Sequence, residues 1–333
     1  MNKKRVFNYC IISIGIVSLT LISNFTALGI KAASNISKNT VNNTKQVIIT
    51  TQKIEKPKQT STKEQVIEKQ QKENKTSGIE NSSEDKYKEL EQNISKYLSS
   101  QNGSYGMYFI NLKDGQSFGY NSDQKFTGAS TVKVPIDLYV YELIRQGKIG
   151  FDTKYQYTSD DSEGGTGIIQ NDDVGGYYSV KYLLEESIRV SDNVAVNILL
   201  REIYEDNFSN YIGNIVGHSI TPWNNEWSAK DMAYIMKEVY NFNNNNSELG
   251  KDFLTNLENT VFNDRINRYL PSNVAVAHKI GNQVSTMNDV GIVFVEDQPY
   301  VVAFMSSNVE EDQACEVIAQ ASKMIYDFQV NKK

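Results

Sequence analysis

The chain has 333 residues, 39% of them hydrophobic and 22% charged, with a formal net charge of -6. That length holds one large domain or two small ones, and the balance is that of a soluble chain with a sizeable core. The mild acidic excess excludes a basic nucleic-acid-binding protein and says little about other partners.

Cysteine and histidine narrow the chemistry. Cys10 lies in an N-terminal apolar stretch, so Cys315 has no cysteine to pair with inside the folded part. His218 and His278 are the only two histidines. A multi-histidine metal site is thereby disfavoured, as is a Ser-His-Asp triad. No metal or cofactor is expected, and a general-base role falls to lysine or a carboxylate.

In chain order, Lys3, Lys4 and Arg5 precede an apolar run from Phe7 to Ile30, followed by Ala32, Ala33 and Ser34. This pattern predicts a secretory signal over 1–33, or an uncleaved membrane anchor, and so a secreted or cell-surface protein. Residues 34–85, rich in Lys, Gln, Asn, Thr, Ser and Glu, cannot bury enough apolar surface to offset their ordering entropy and read as a disordered polar tether. The folded domain is expected over 86–333. Leu90, Ile94 and Leu98 predict an amphipathic helix over Tyr87–Leu98. Two strands, Tyr105–Asn111 and Gln116–Tyr120, are joined by Lys113-Asp114-Gly115, a hairpin signal. Helical patterns run from Ser130 to about Leu257. Strands return at Val274–Lys279, Asp289–Val295 and Tyr300–Ser306, and Glu311–Phe328 reads as a last amphipathic helix. The order predicts an α+β (mixed α/β) fold: an antiparallel sheet flanked by helices, plus an all-helical subdomain.

Three short patterns carry chemistry. In Phe126-Thr-Gly-Ala-Ser130-Thr-Val-Lys133-Val-Pro135, Ser130 and Lys133 lie three apart at a helix start, so they share one face. A serine hydroxyl is a weak nucleophile without a proton acceptor, and a desolvated lysine near a helix N-terminus can be one. The Ser130 N–H sits where an oxyanion would need a donor. Ser191-Asp192-Asn193 reads alone as a helix cap; alternatively it aims a hydroxyl and an amide into a cleft. His278-Lys279-Ile280-Gly281 ends a strand, where Lys279 would bring positive charge and Gly281 would let a substrate backbone lie close.

Ser-x-x-Lys, Ser-Asp-Asn and Lys-x-Gly in this order resemble the catalytic set of class A serine β-lactamases and the penicillin-binding D-alanyl-D-alanine peptidases. The likeness extends over roughly 86–330, through Tyr105–Tyr120, Gly164-Gly-Thr-Gly-Ile-Ile-Gln170 and Asn288-Asp-Val-Gly-Ile-Val293. It implies an acyl-enzyme on Ser130, with Lys133 as its base. Ser191 would relay a proton to the leaving nitrogen, and Lys279 would hold that relay and the substrate's negative charge. The oxyanion would lie between the N–H groups of Ser130 and Asn282, just after Gly281, and Asn193 would bind the acyl side chain and steady Lys133. The implied partner is a β-lactam, or a D-alanyl amide or ester of peptidoglycan or teichoic acid, handled by a monomer.

Two departures qualify the likeness. The Glu-x-x-Leu-Asn loop that drives deacylation in class A β-lactamases is not evident. The stretch Ser219–Ala233 is too short for it, with Glu226 as the one carboxylate before the next helix and hence the candidate substitute base. Ile280 occupies a position where the family has a hydroxyl for a substrate carboxylate, so an ester or internal amide becomes a credible substrate. A binding module, a penicillin- or wall-binding sensor that turns nothing over, is the competing class. Keeping Ser130, Lys133, Ser191, Asn193 and Lys279 together favours chemistry.

Overall fold

The computed structural model describes residues 83–203, 207–221 and 224–331. The leader expected at 1–33, and the tether expected at 34–85 except its last three residues, lie outside them. Those three open helix α1 (Ser83–Ser99), which has Glu84 and Asp85 in its first turn. Acidic residues that look like linker by composition are also what a helix N-terminus favours, and the domain starts accordingly earlier than expected. Tyr87, Leu90, Ile94 and Leu98 of α1 form its buried face.

Five strands build one antiparallel sheet in the order β2-β1-β9-β8-β7. They are β1 (Ser104–Asn111), β2 (Ser117–Tyr120), β7 (Val276–Gln283), β8 (Thr286–Val293) and β9 (Tyr300–Ser307). The β1–β2 turn is set by Asn111, whose Oδ1 accepts from the N–H groups of Lys113 and Asp114 at 2.8 and 3.0 Å. Every residue of β7 pairs with β8, from Val276↔Val293 to Gln283↔Thr286. The strand therefore runs past Lys279, where the fading apolar pattern had placed its end; backbone pairing, indifferent to side-chain polarity, carries it through Gly281 and Asn282. A two-residue loop closes the hairpin, with Ser285 at φ 54°.

One face of the sheet is covered by α1 and α8 (Glu311–Asn331), with Phe109, Tyr300, Val302, Phe304, Ile318 and Ile325 between them. The other face meets the helical subdomain: α2 (Lys133–Arg145), α3 (Val180–Arg189), α4 (Asn193–Ile203), α5 (Phe208–Val216), α6 (Ala229–Asn245) and α7 (Ser247–Glu258). Helix α2 is the axis of this half. All its residues from Lys133 to Leu143 are buried, the signature of a helix surrounded by protein. Within the stretch read as helical, two short ribbons also form, β3 (Lys125–Thr127) with β6 (Glu226–Ser228) and β4 (Lys154–Gln156) with β5 (Tyr177–Ser179). Three-residue strands are too short for a period-two pattern to register in sequence. Among the described residues, no helix is long and apolar enough to cross a membrane.

Candidate active site

Ser130 stands on a 3-10 turn, Ala129–Val132, that runs directly into α2 at Lys133. Residues three apart eclipse in a 3-10 turn, so Ser130 and Lys133 point to the same side. Pro135 falls in the first turn of α2, where a missing N–H removes no helical bond. Ala129, just before the serine, has φ 47°, a left-handed conformation that costs a non-glycine residue about 1 kcal/mol or more. The turn is fastened to the sheet by Asn288 on β8. Its Nδ2 donates to the carbonyls of Thr127 and Gly128 at 2.8 and 3.1 Å, and its Oδ1 accepts from Ser306 N at 2.8 Å.

Lys133 is fully buried and faces four oxygens. Its Nζ lies 3.3 Å from Ser130 Oγ, 2.6 Å from Ser191 O, 3.0 Å from Ser191 Oγ and 2.8 Å from Asn193 Oδ1. Two of these, the Ser191 carbonyl and the Asn193 amide oxygen, can only accept. They take both hydrogens of an uncharged amine and leave its lone pair toward the hydroxyls of Ser130 and Ser191. Burial lowers the Lys133 amine to about 7, against the upward pull of Asp192, Glu163 and Asp137. A lysine poised near neutrality is a competent proton acceptor.

Ser191 completes a bridge. Its Oγ sits between Lys133 Nζ and Lys279 Nζ, the latter at 2.9 Å, while Lys279 also donates to Ile280 O at 3.0 Å. Burial first, and then the facing Lys133, push the Lys279 amine well below its ordinary value. Ser191 holds this place with φ 57°, between the end of α3 and the start of α4.

Asp192 makes that conformation possible. One carboxylate oxygen accepts from Ala195 N at 2.9 Å, capping α4. The other accepts from Ile168 N and Ile169 N at 2.6 and 2.9 Å, drawing in the glycine-rich segment 164–169. Thr166 Oγ1 donates to Ser191 O at 2.6 Å, and Asn193 Nδ2 donates to Gly164 O at 2.9 Å. Gly167, at φ 106°, rests directly on Asp192, and a Cβ there would fall inside the aspartate. Capping and cleft-forming, alternatives in sequence, are both performed by Ser191-Asp192-Asn193.

Strand β7 crosses this assembly at Gly281. A Cβ at Gly281 would lie 2.6 Å from Gly128 O and 3.0 Å from Thr131 N, so the glycine admits the turn that carries Ser130. Asn282 follows as an exposed residue paired with Met287. Ile280 is 4% exposed and joins neither of the two hydrophobic clusters among the described residues. Ser130, Lys133, Ser191, Asn193, Lys279 and Gly281 are thus gathered in one place. Glu226 is exposed on β6, opposite Thr127, and lines a hollow with Lys125, His218 and Asp231. Pairing of β6 with β3 turns Trp227 inward and Glu226 outward, an alternation invisible while the stretch read as loop. Asn288, Thr166 and Glu163 had no sequence signal beyond a polar residue in an apolar strand or beside a glycine run.

A five-stranded antiparallel sheet joined to a helical subdomain that delivers a Ser-Asp-Asn turn opposite a strand lysine is the β-lactamase/transpeptidase-like fold. The chain belongs to the Beta-lactamase enzyme family, whose profile matches residues 89–329. It is 23% identical over 268 residues to β-lactamase VEB-1 of Pseudomonas aeruginosa, covering 72% of this chain and 90% of that protein. Against β-lactamase 3 of Bacillus cereus it is 26% identical over 250 residues, 68% and 77% of the two chains. Among solved structures, PBP-A superposes with a TM-score of 0.67 at 25% identity over 72% of this chain and 95% of that one. A PBP-A mutant, an acyl-enzyme complex with penicillin G, gives 0.66 at 26% identity over 72% and 96%.

Proposed function

We propose that this chain is an exported active-site-serine hydrolase that is acylated on Ser130 by β-lactams or by D-alanyl amides or esters of the cell wall. The observation that carries the reading is the convergence of two fully buried amines on one hydroxyl, Ser191 Oγ, with Ser130 Oγ beside the first of them. Such an arrangement costs several kcal/mol of desolvation and has no packing purpose. Neutral Lys133 takes the Ser130 proton as Oγ adds to the carbonyl carbon. The proton then passes through Ser191 to the leaving nitrogen, steadied by Lys279. The N–H groups of Ser130 and Asn282 hold the oxyanion, and Asn193 receives the acyl side chain. With Ile280 in place of a hydroxyl, a substrate without a free terminal carboxylate suits the site. Residues 1–33 supply the export signal or membrane anchor.

The test is a fluorescent penicillin applied to the parent protein and to Ser130→Ala. The parent is expected to label covalently and the variant to stay dark. Label on the variant would remove Ser130 as nucleophile; a dark parent that also cleaves no D-alanyl ester or amide would remove the enzyme reading. A penicillin- or wall-binding sensor on the same fold is the second reading, favoured by the lack of a Glu-x-x-Leu-Asn motif and by Ile280.

A further inference from the structure

A carboxylate outside the expected loop is tied to the site through one amide and lies within electrostatic reach of Lys133. Glu163 immediately precedes Gly164, whose carbonyl is bonded by Asn193, and Asn193 in turn holds Lys133. Asn197, one turn further along α4, donates to Glu163 Oε2 at 2.9 Å and to Asp161 O at 3.2 Å. Arg201, another turn on, donates to Asp161 Oδ1 at 2.8 Å. One face of α4 therefore fixes residues 161–164 against the site. Glu163 is only partly buried, yet its Oε1 is enclosed and has no hydrogen-bond partner among the described residues. Enclosed carboxylate oxygens without a donor are rare enough to need a reason.

The other acids near Lys133 are bonded or fully buried, although Asp137 Oδ2 also has no hydrogen-bond partner among the described residues. Both oxygens of Asp192 accept from backbone N–H groups. Asp137 is fully buried on α2, one turn behind Lys133, and accepts from Ser187 Oγ at 3.1 Å. Burial holds its carboxyl well above the usual range, which keeps it an acid and not a base. Glu226 is exposed and lines a hollow with His218 and Asp231. Glu163 alone among these combines partial exposure, a free oxygen and an anchored backbone.

We propose that Glu163 is a catalytic residue for the second half-reaction, the base that takes a proton from the water attacking the acyl–Ser130 ester. The proposal rests on the reading of Ser130 as an acylated nucleophile. As the water oxygen adds to the ester carbonyl, its proton moves to the Glu163 carboxylate. Glu163 passes that proton to neutral Lys133, and collapse of the tetrahedral adduct breaks the bond between the carbonyl carbon and Ser130 Oγ, which takes the proton from the Lys133 ammonium. This leaves the free acid product, with Glu163 again a carboxylate and Lys133 again neutral. Burial raises Glu163 above the ordinary carboxylate range, with Asn197 and the charge of Lys133 opposing, and so strengthens it as a base.

The experiment loads the full chain and its Glu163→Gln variant with fluorescent penicillin, adds excess unlabelled drug, and follows the adduct by intact mass. Glutamine keeps an oxygen for Asn197 while losing the base. The variant is expected to form the adduct and release it about 100-fold or more slowly than the parent. Glu163→Asp, which keeps the carboxylate on a shorter arm, is expected to fall between the two and serves if glutamine impairs folding. Equal release by parent and Glu163→Gln, or by parent and Glu163→Asp if only that variant folds, would overturn the proposal while leaving acylation of Ser130 intact. A parent that forms no adduct would overturn both.

Discussion

Replacing Asp192 with asparagine tests whether one carboxylate organises the cleft. Asp192 accepts three backbone N–H bonds, two from the 164–169 segment and one from α4. An amide has only one accepting atom, so at least one of these N–H groups faces an NH2. A hydrogen bond to a charged group contributes about 1.5–3 kcal/mol, and the bonds that remain fall to roughly half strength on loss of the charge. The combined loss is about 4 kcal/mol, which for a domain of this size lowers Tm by on the order of 10 °C. The substitution also removes the strongest of the anions that hold the Lys133 amine up. An anion favours the protonated lysine, so its removal shifts the pKa downward. Acylation by a fluorescent penicillin is therefore expected to rise with pH through about 7 in the parent, where Lys133 becomes neutral, and to inflect at lower pH in Asp192→Asn. Thermal unfolding and a pH–rate profile measure the two effects. A variant melting within about 2 °C of the parent would refute the structural reasoning, and an inflection moved to higher pH the electrostatic part.

Gly167→Ala forces a φ of 106° on a residue with a Cβ and drives that carbon into Asp192. Backbone strain alone costs about 1–3 kcal/mol, so the variant is expected to melt lower and to acylate more slowly; unchanged values of both would show the segment to be free to move. For Asp137→Asn the sign runs the other way. The folded-state pKa is raised, so the folded protein keeps a proton that the unfolded chain releases above the ordinary aspartate range, and parent stability falls as pH rises toward the folded pKa. Asparagine does not titrate, and its carbonyl can still accept from Ser187. Its Tm advantage is expected to be small near pH 4 and to widen with pH, and a constant difference would count against a protonated Asp137.

The architecture and the serine–lysine pair were legible because each rests on local pattern. Helix α1 shows its period, β1 and β2 flank a turn sequence, and Ser130 and Lys133 lie within one turn. Ser191 and Lys279 became legible by resemblance, in the order of three motifs. What escaped depends on contacts between distant segments. Glu163 meets Asn197 across 34 positions, and Asn288 reaches Gly128 across 160. Gly281 was singled out without its protein neighbour, since no sequence pattern says that a turn about 150 residues earlier will press on it. Glu226 was chosen as the only acid in its stretch, and three residues of β-pairing decided its direction.

The enclosure of α2 has a consequence for how the site adapts. A helix buried along its length belongs to the last part of a protein to exchange its amide hydrogens, opening only when the whole molecule does. Ser130 and Lys133 are attached to its first turn, so the reacting groups have no breathing motion of their own. Under the proposed acylation of Ser130, accommodation of differently shaped acyl groups would come from the margins, the segment 164–178 and the loop after Asn282, where Ile168, Tyr177 and Val284 stand exposed. Substrate range can drift by substitutions there while the chemical step stays clamped.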